Sequence, residues 1–168
     1  EQYTGKLMRL HSNGELDQSF RPMELQYALT FALQPDGKIV IGGAASSKWF
    51  WRINPDGTND TSFYSPTKNF NNAVAVALVT PRGGIFLGGA FSSFDETPAP
   101  HVVGLLSDGR LDPEFNKGRT AFNDRVTRLL VQKDGQILVG GKFSYHEGRL
   151  ISRFSRIGLS GAVDPTFN

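Results

Sequence analysis

Leu33 to Gly43 reads LQPDGKIVIGG, and the same phrase returns as VTPRGGIFLGG from Val79 to Gly89 and as VQKDGQILVGG from Val131 to Gly141. A second phrase follows each time. It runs RLHSNGELDQSF from Arg9 to Phe20, RINPDGTNDTSF from Arg52 to Phe63 and GLLSDGRLDPEF from Gly104 to Phe115, with a looser copy from Arg153 to Phe167 that carries three extra residues before Gly161. A period of this size marks a repeat architecture, in which no unit buries its apolar face alone and stability comes from stacked neighbours. The second phrase closes at Phe20, Phe63, Phe115 and Phe167, at intervals of 43, 52 and 52 residues. The short interval reflects a trimmed segment between the phrases, a change that loops accept cheaply because closure entropy grows slowly with length. Functional differences are therefore expected in Ala44 to Trp51, Ala90 to Val103 and Lys142 to Ser152.

Each repeat reads as a meander of about four short strands. Val126 to Gln132 is apolar and β-branched, Lys133 to Gly135 signals a turn, and Gln136 to Phe143 is a second apolar run. Asp-Gly between two such runs is a strong hairpin signal, since glycine accepts positive φ at little cost. Leu150 to Ser155 supplies a third run and Ala162 to Phe167 a short fourth. Runs such as Ala73 to Val79, AVAVALV, are continuous rather than alternating, as expected where both faces of a sheet are covered. Four-stranded antiparallel sheets stacked face to face are the blades of a β-propeller. The expected fold is therefore all-β and propeller-type, with a leading half repeat at residues 1–20 and full repeats at 21–63, 64–115 and 116–168, all in one domain. About three and a half units do not close a ring of four to eight blades. Further repeats of a longer chain, or self-association of copies, would have to complete it.

The pair of phrases, LQPDGKIVIGG followed by RINPDGTNDTSF, closely resembles the delta-60 repeat. Phe143-Ser144-Tyr145-His146-Glu147-Gly148 matches that family's F-x-x-Y-x-G step, Phe91 to Phe94 matches it in part, and Ala45 to Lys48 departs from it. The resemblance implies a propeller-like repeat of bacterial secreted or cell-surface proteins, and names an architecture rather than a reaction.

Composition narrows the function classes. A formal charge of +2 with scattered lysines and arginines gives no phosphate-binding stripe, so nucleic acid is not an expected partner. No cysteine is present for thiol or iron–sulfur chemistry, and no apolar run is long enough to span a membrane. His11, His101 and His146 fall at unrelated positions and form no metal-ligand spacing. No serine sits in a nucleophile elbow, and Asp95-Glu96, beside Pro98 and Pro100, reads as loop charge rather than a catalytic carboxylate pair. No catalytic residue, metal site or cofactor is assigned.

Asp17, Asp60, Asp112 and Asp164 recur in every copy of the second phrase. Calcium is their functional reading, because Asn54, Asp56, Gly57 and Asp60 mimic part of an oxygen-ligand loop, but the place of a closing glutamate holds Phe63. The favoured reading is structural: the aspartates cap a tight turn, and Phe20, Phe63, Phe115 and Phe167 plug the gap between units. Arg9, Arg52 and Arg153 recur as well, but the third copy has Gly104 in that place and keeps Asp112. Pairing is then not obligatory, and the arginines read as exposed side chains over a blade edge, of little energetic value. The pairs ending in Gly43, Gly89 and Gly141 precede no helix, so close backbone approach or a bulge explains them better than a phosphate loop.

A binding rim is the remaining candidate. Trp49 and Trp51 flank Phe50 in the trimmed segment and share a face if that segment is extended, while Phe94, Tyr145 and His146 come from corresponding segments of the other repeats. Flat rings on a rigid rim stack on glycans or anchor a protein. The expected function is a non-enzymatic extracellular interaction or assembly module. The alternative is an enzyme, such as a glycan-active hydrolase, that draws its carboxylates from several blades.

Overall fold

In the computed structural model, which describes residues 4–5, 7–21, 25–45, 48–64, 70–115 and 122–167, the chain reverses at every one of the first phrases. Gly37, Gly83 and Gly135 stand at φ of 83°, 86° and 86°, the left-handed region where a side chain is strained. Asp36 braces the first reversal by accepting from the Lys38 amide at 3.1 Å, and Asp134 does the same for Gln136 at 3.0 Å. Apolar runs on either side of each reversal then pair as antiparallel strands.

In chain order the strands are β1 (Thr4–Gly5), β2 (Leu25–Gln26), β3 (Ala28–Leu33), β4 (Ile39–Ala45), β5 (Lys48–Ile53), β6 (Val74–Val79), β7 (Ile85–Gly89), β8 (Ser93–Phe94), β9 (Thr97–Pro98), β10 (Val102–Leu105), β11 (Val126–Val131), β12 (Ile137–Gly141), β13 (Tyr145–His146), β14 (Arg149–Leu150) and β15 (Phe154–Ile157). Three sheets of the same design result, ordered β3-β4-β5, β6-β7-β10 and β11-β12-β15. The described residues contain no helix, and none long and apolar enough to cross a membrane. The chain is all-β, a partial propeller of three blades and a leading half unit.

The fourth strand of each blade is shorter than the sequence suggests. It is reduced to a single bridge, Ile53↔Asn59, Leu105↔Leu111 and Ile157↔Val163, with Leu10↔Leu16 as its counterpart in the leading half unit. These bridges also correct the alignment of the last copy. Ile157 stands where Ile53 and Leu105 stand, so the phrase is the unbroken run Arg156 to Phe167, with no extra residues, and its arginine is Arg156 rather than Arg153.

Blade faces meet in three apolar clusters. Phe20 and Leu7 of the half unit lie against Ile41, Trp51 and Ile53 of the first blade. Phe50 and Phe63 at the rear of the first blade meet Ile85, Leu87, Val103 and Leu105 at the front of the second, with Leu111 partly buried beside them. Phe86 and Phe115 at the rear of the second meet Val126, Ile137 and Val139 at the front of the third. Full burial of one such side chain stabilises by roughly 1.5–3 kcal/mol. The continuity of the apolar runs follows, because β6 and β7 have a blade on each side.

The glycine pairs are explained by space. A Cβ on Gly42 would lie 2.5 Å from a methyl of Val74, the first strand residue of the next blade, and one on Gly88 would lie 2.6 Å from the equivalent methyl of Val126. Gly43, Gly89 and Gly141 instead face carbonyl oxygens of Tyr27, Ala73 and Arg125, where the ladder slips at Ala28/Thr30, Val74/Val76 and Val126/Arg128. Each pair thus holds a bulge in its own blade, and the first two also seat the next blade.

Candidate functional site

The recurring Asp, Arg and Phe of the second phrase form one unit. Asp60 Oδ1 accepts from the amide of Ser62 at 3.0 Å and from its hydroxyl at 2.6 Å, which caps the turn. Its Oδ2 accepts from Arg52 Nε and from Lys38 Nζ, each at 2.8 Å. Arg52 lies over the Phe63 ring, 4.3 Å from its centroid, and sends Nη1 across the joint to the Ser107 carbonyl of the next blade at 2.6 Å. Arg9 repeats the arrangement with Asp17 at 2.7 Å, the Phe20 ring at 4.8 Å and the Pro55 carbonyl of the next blade. Arg156 repeats it with Asp164 at 2.8 Å and Phe167 at 4.7 Å.

Arg9 and Arg52 are joint pins, and at Arg52 burial overturns the expectation of an exposed edge charge. The side chains of Arg52 and Asp60 are 6% and 5% exposed. Burial works against ionisation of Asp60, but hydrogen bonds from Lys38, Ser62 and Arg52 outweigh it and hold the carboxyl well below the usual range. The Ser19 hydroxyl and amide, then Arg9, hold Asp17 low in the same way. In the third copy a Cβ on Gly104 would lie 2.6 Å from the Phe115 ring, so the ring occupies the room a longer side chain would need. All four aspartates accept from the amide two residues on, Phe20, Phe63 and Phe115 lie in joints between units while Phe167 stands at the trailing end, and the oxygens of Asp60 are committed to donors of the chain itself. Among the described residues, no group of three His, Cys, Asp or Glu side chains could hold a metal ion.

The second and third variable segments are ordered ribbons rather than open loops. β8 pairs with β9 around Asp95-Glu96, whose φ values of 46° and 63° are those of a two-residue hairpin turn. β13 pairs with β14 around Glu147-Gly148 in the same conformation. Asp95 accepts from the Tyr64 hydroxyl at 2.7 Å, which raises the tyrosine above its ordinary value. Each ribbon is clamped by an asparagine that the sequence reading did not single out. Asn71 Oδ1 accepts from the Ser92 and Ser93 amides at 2.9 and 3.2 Å, and Asn123 Oδ1 accepts from Ser144 and Tyr145 at 2.9 and 2.8 Å. Their spacing of 52 residues, the length of the repeat, was the available signal. Replacing Asn71 by alanine should loosen only the β8–β9 ribbon, at a cost of about 1–2 kcal/mol, read as faster amide exchange at Ser92 and Ser93.

The five rings proposed for a binding rim do not form one. Phe94 is fully buried, 4.7 Å from Phe70 and 6.5 Å from Phe50 between ring centroids. His146, its equivalent in the next repeat, is fully buried and stacked on Phe122 at 3.9 Å, with Nδ1 3.0 Å from the Ser155 hydroxyl. Trp51 is buried with Ile41 and Ile53, whereas Trp49 is half-buried against the cluster of Phe50. The expected shared face is lost because the register slips between Gly42 and Ala45 opposite them. Only Tyr145 of the five is exposed. The asparagine-clamped ribbons press Phe94 and His146 inward, where they serve packing.

What the structure leaves open lies at its two ends. At the leading end Met8, Leu10 and Leu16, together with Leu29, Phe31 and Leu33 on β3, are exposed, Phe31 to 65%. At the trailing end Leu130, exposed to 60%, and Phe154 stand in the open beside Arg156. A Cβ on Gly140 would meet no atom of another blade, only Arg128 at 3.5 Å and Phe154 at 4.0 Å, so the seat that Gly42 and Gly88 use is unfilled there.

Repeats with these two phrases and these stacked sheets match the family described as a domain of unknown function (DUF5122) beta-propeller, over residues 1–20, 34–63, 83–115 and 132–167. The chain belongs to that family. The four matched segments of this DUF5122 propeller carry the second phrases entire and, in each full repeat, at least part of the first, so they include the joint pins and the glycine seats. Its matches leave out all three inner strands, β3, β6 and β11, and with β3 the exposed Leu29, Phe31 and Leu33. No curated relative matches the chain.

Proposed function

We propose that this chain is a non-enzymatic assembly module that works outside the cell or at its surface, and that its terminal blade faces are completed by units of its own kind. The extracellular setting rests on the likeness to delta-60 repeats. The observation that carries the assembly reading is a match of positions. Inside the chain Phe50 and Phe63, 5.1 Å apart, receive Val103, Leu105 and Leu111 of the next blade. Phe154 and Phe167, 5.3 Å apart, hold the first two positions at the trailing end, and Met8, Leu10 and Leu16 hold the other three at the leading end. One copy can therefore continue another head to tail, with Arg156 meeting the carbonyl of Ser12 as Arg52 meets that of Ser107. Unlike faces meet in such a contact, which generates rings or filaments rather than simple two-fold dimers.

Mass in solution tests this. The unaltered chain is expected to form particles larger than its 18.4 kDa monomer. Leu10→Glu and Phe154→Glu, both at exposed positions, should each give monomers, and a mixture of the two variants should give a particle of two chains through its one intact pair of faces. A monomeric unaltered chain at concentrations of about 100 µM overturns the reading.

A further inference from the structure

The leading half unit is half of a blade in a specific sense. Residues 7 to 20 correspond to the third strand and closing turn of a blade, and every other third strand is paired on its inner side: β5 with β4, β10 with β7, β15 with β12. Leu7 to Leu10 has no such partner among the described residues and keeps only the Leu10↔Leu16 bridge on its outer side. Its backbone donors and acceptors form an open sheet edge, a template for another strand.

Beside that edge lies the wall the absent strands would cover. On the second blade, the β6 positions Ala75, Ala77 and Val79 are all half-buried, and the amide of Ala77 donates to Thr30 Oγ1 of the blade before it at 3.1 Å. On the first blade the same positions are Leu29, Phe31 and Leu33, all exposed. The outer half of this face is already covered by Leu7 and Phe20, and the half unit is fixed there by Arg9 on Pro55 and by the Arg21 amide on the Asp56 carbonyl at 2.8 Å. Among the described residues the opening is continuous with an existing joint, is two strands wide, and has apolar walls and a hydrogen-bonding edge.

We infer that this slot is a docking site for a β-hairpin of the repeat's own inner type, two apolar strands joined by an Asp-Gly turn and ending in Gly-Gly. The inference rests on the assembly reading only in taking blades as the unit of completion. A hairpin is required, rather than one strand, because two strands separate the third strand from the inner end of every complete blade. The Gly-Gly end is required because the first residue of the following blade presses on that position, as Val74 does on Gly42, and Ala28 holds the corresponding place here. Small residues suit its inner face, since Leu29, Phe31 and Leu33 already supply bulk where the second blade has alanines. The chain's own segment Tyr27 to Ala44 meets these demands, with Thr30 and Val40 facing the next blade.

A fluorescent peptide with the sequence of residues 27–44 is the probe, titrated into the Phe154→Glu chain, whose change lies at the far end from the slot, so that self-assembly does not compete. Saturable binding of one peptide per chain is expected. Phe31→Glu, added at an exposed position, and a Gly42→Val change in the peptide should each weaken binding at least about tenfold; Leu33→Glu serves as a second wall variant. Equal binding of a scrambled peptide, indifference to both wall variants, or no saturation below about 100 µM overturns the inference. Peptide binding by a chain that never self-associates would refute the assembly reading alone, and assembly without peptide binding would refute the slot alone.

Discussion

Asp60→Ala is expected to lower the stability of the domain by about 3–5 kcal/mol, the usual cost of leaving one partner of a buried ion pair without the other. The carboxylate is the single acceptor on which Arg52 and Lys38 converge, and it also caps the turn through Ser62. Its loss leaves a guanidinium that is 6% exposed between two blades, held only by Gln34, the Ser107 carbonyl and the Phe63 ring. The matching change at Asp17 should cost distinctly less, because its partner Arg9 is 40% exposed and can turn to water. Urea unfolding of the two variants checks the ordering, and equal costs would show that burial is not what gives the pair its weight. Replacing Arg52 and Asp60 together by methionine and leucine should recover much of the loss, since well-packed apolar side chains often match a buried pair.

Stability should also fall as the pH drops from about 6.5 to about 4, by about 3 kcal/mol in total. Burial pushes His146 down to about 4 from an ordinary value of 6.5. In this window the unfolded chain binds a proton that the folded chain does not, so acid favours unfolding. The double change His146→Phe with Ser155→Val writes the second repeat's Phe94 and Val103 into the third, and should remove this slope. The aspartates act in a different range. Asp17, Asp60 and Asp164 are all lowered from 3.8, so the stability they contribute is present above that value and is lost only as the pH falls further, towards their folded values. Denaturant midpoints measured across pH 3 to 8 should therefore show two separate declines, of which the double variant keeps only the lower.

The repeated parts were legible because repetition separates frame from detail. Asp-Gly turns, glycines at close approaches, capping aspartates and plugging phenylalanines recur at the same place in each unit, and each has one physical reason to do so. The arginines were misread for two reasons. Beginning the last copy at Arg153 with three extra residues before Gly161 selected an arginine on no position shared with Arg52, whereas Gly161 set on Gly57 without a gap leads to Arg156; and Gly104 suggested that the pair is dispensable when Phe115 in fact takes its room. The rim failed for a different reason. Asp95-Glu96 adopts left-handed φ without a glycine, so nothing local announced a hairpin there, and the ribbon that forms carries Phe94 inward. The trimmed segment with both tryptophans continues directly as β5, so its rings became part of the joints.

Gly104 has a consequence for how the array responds to its surroundings. The joints before and after the first blade are each pinned by a guanidinium that crosses to a carbonyl, whereas at the joint after the second blade that position is given over to an aromatic ring. Charge pairs weaken with ionic strength, and apolar contacts weaken on cooling. Cold therefore loosens every seam, since each carries an apolar cluster, whereas salt acts chiefly on the one pinned by the exposed Arg9, so neighbouring blades can part company in an order set by the solvent.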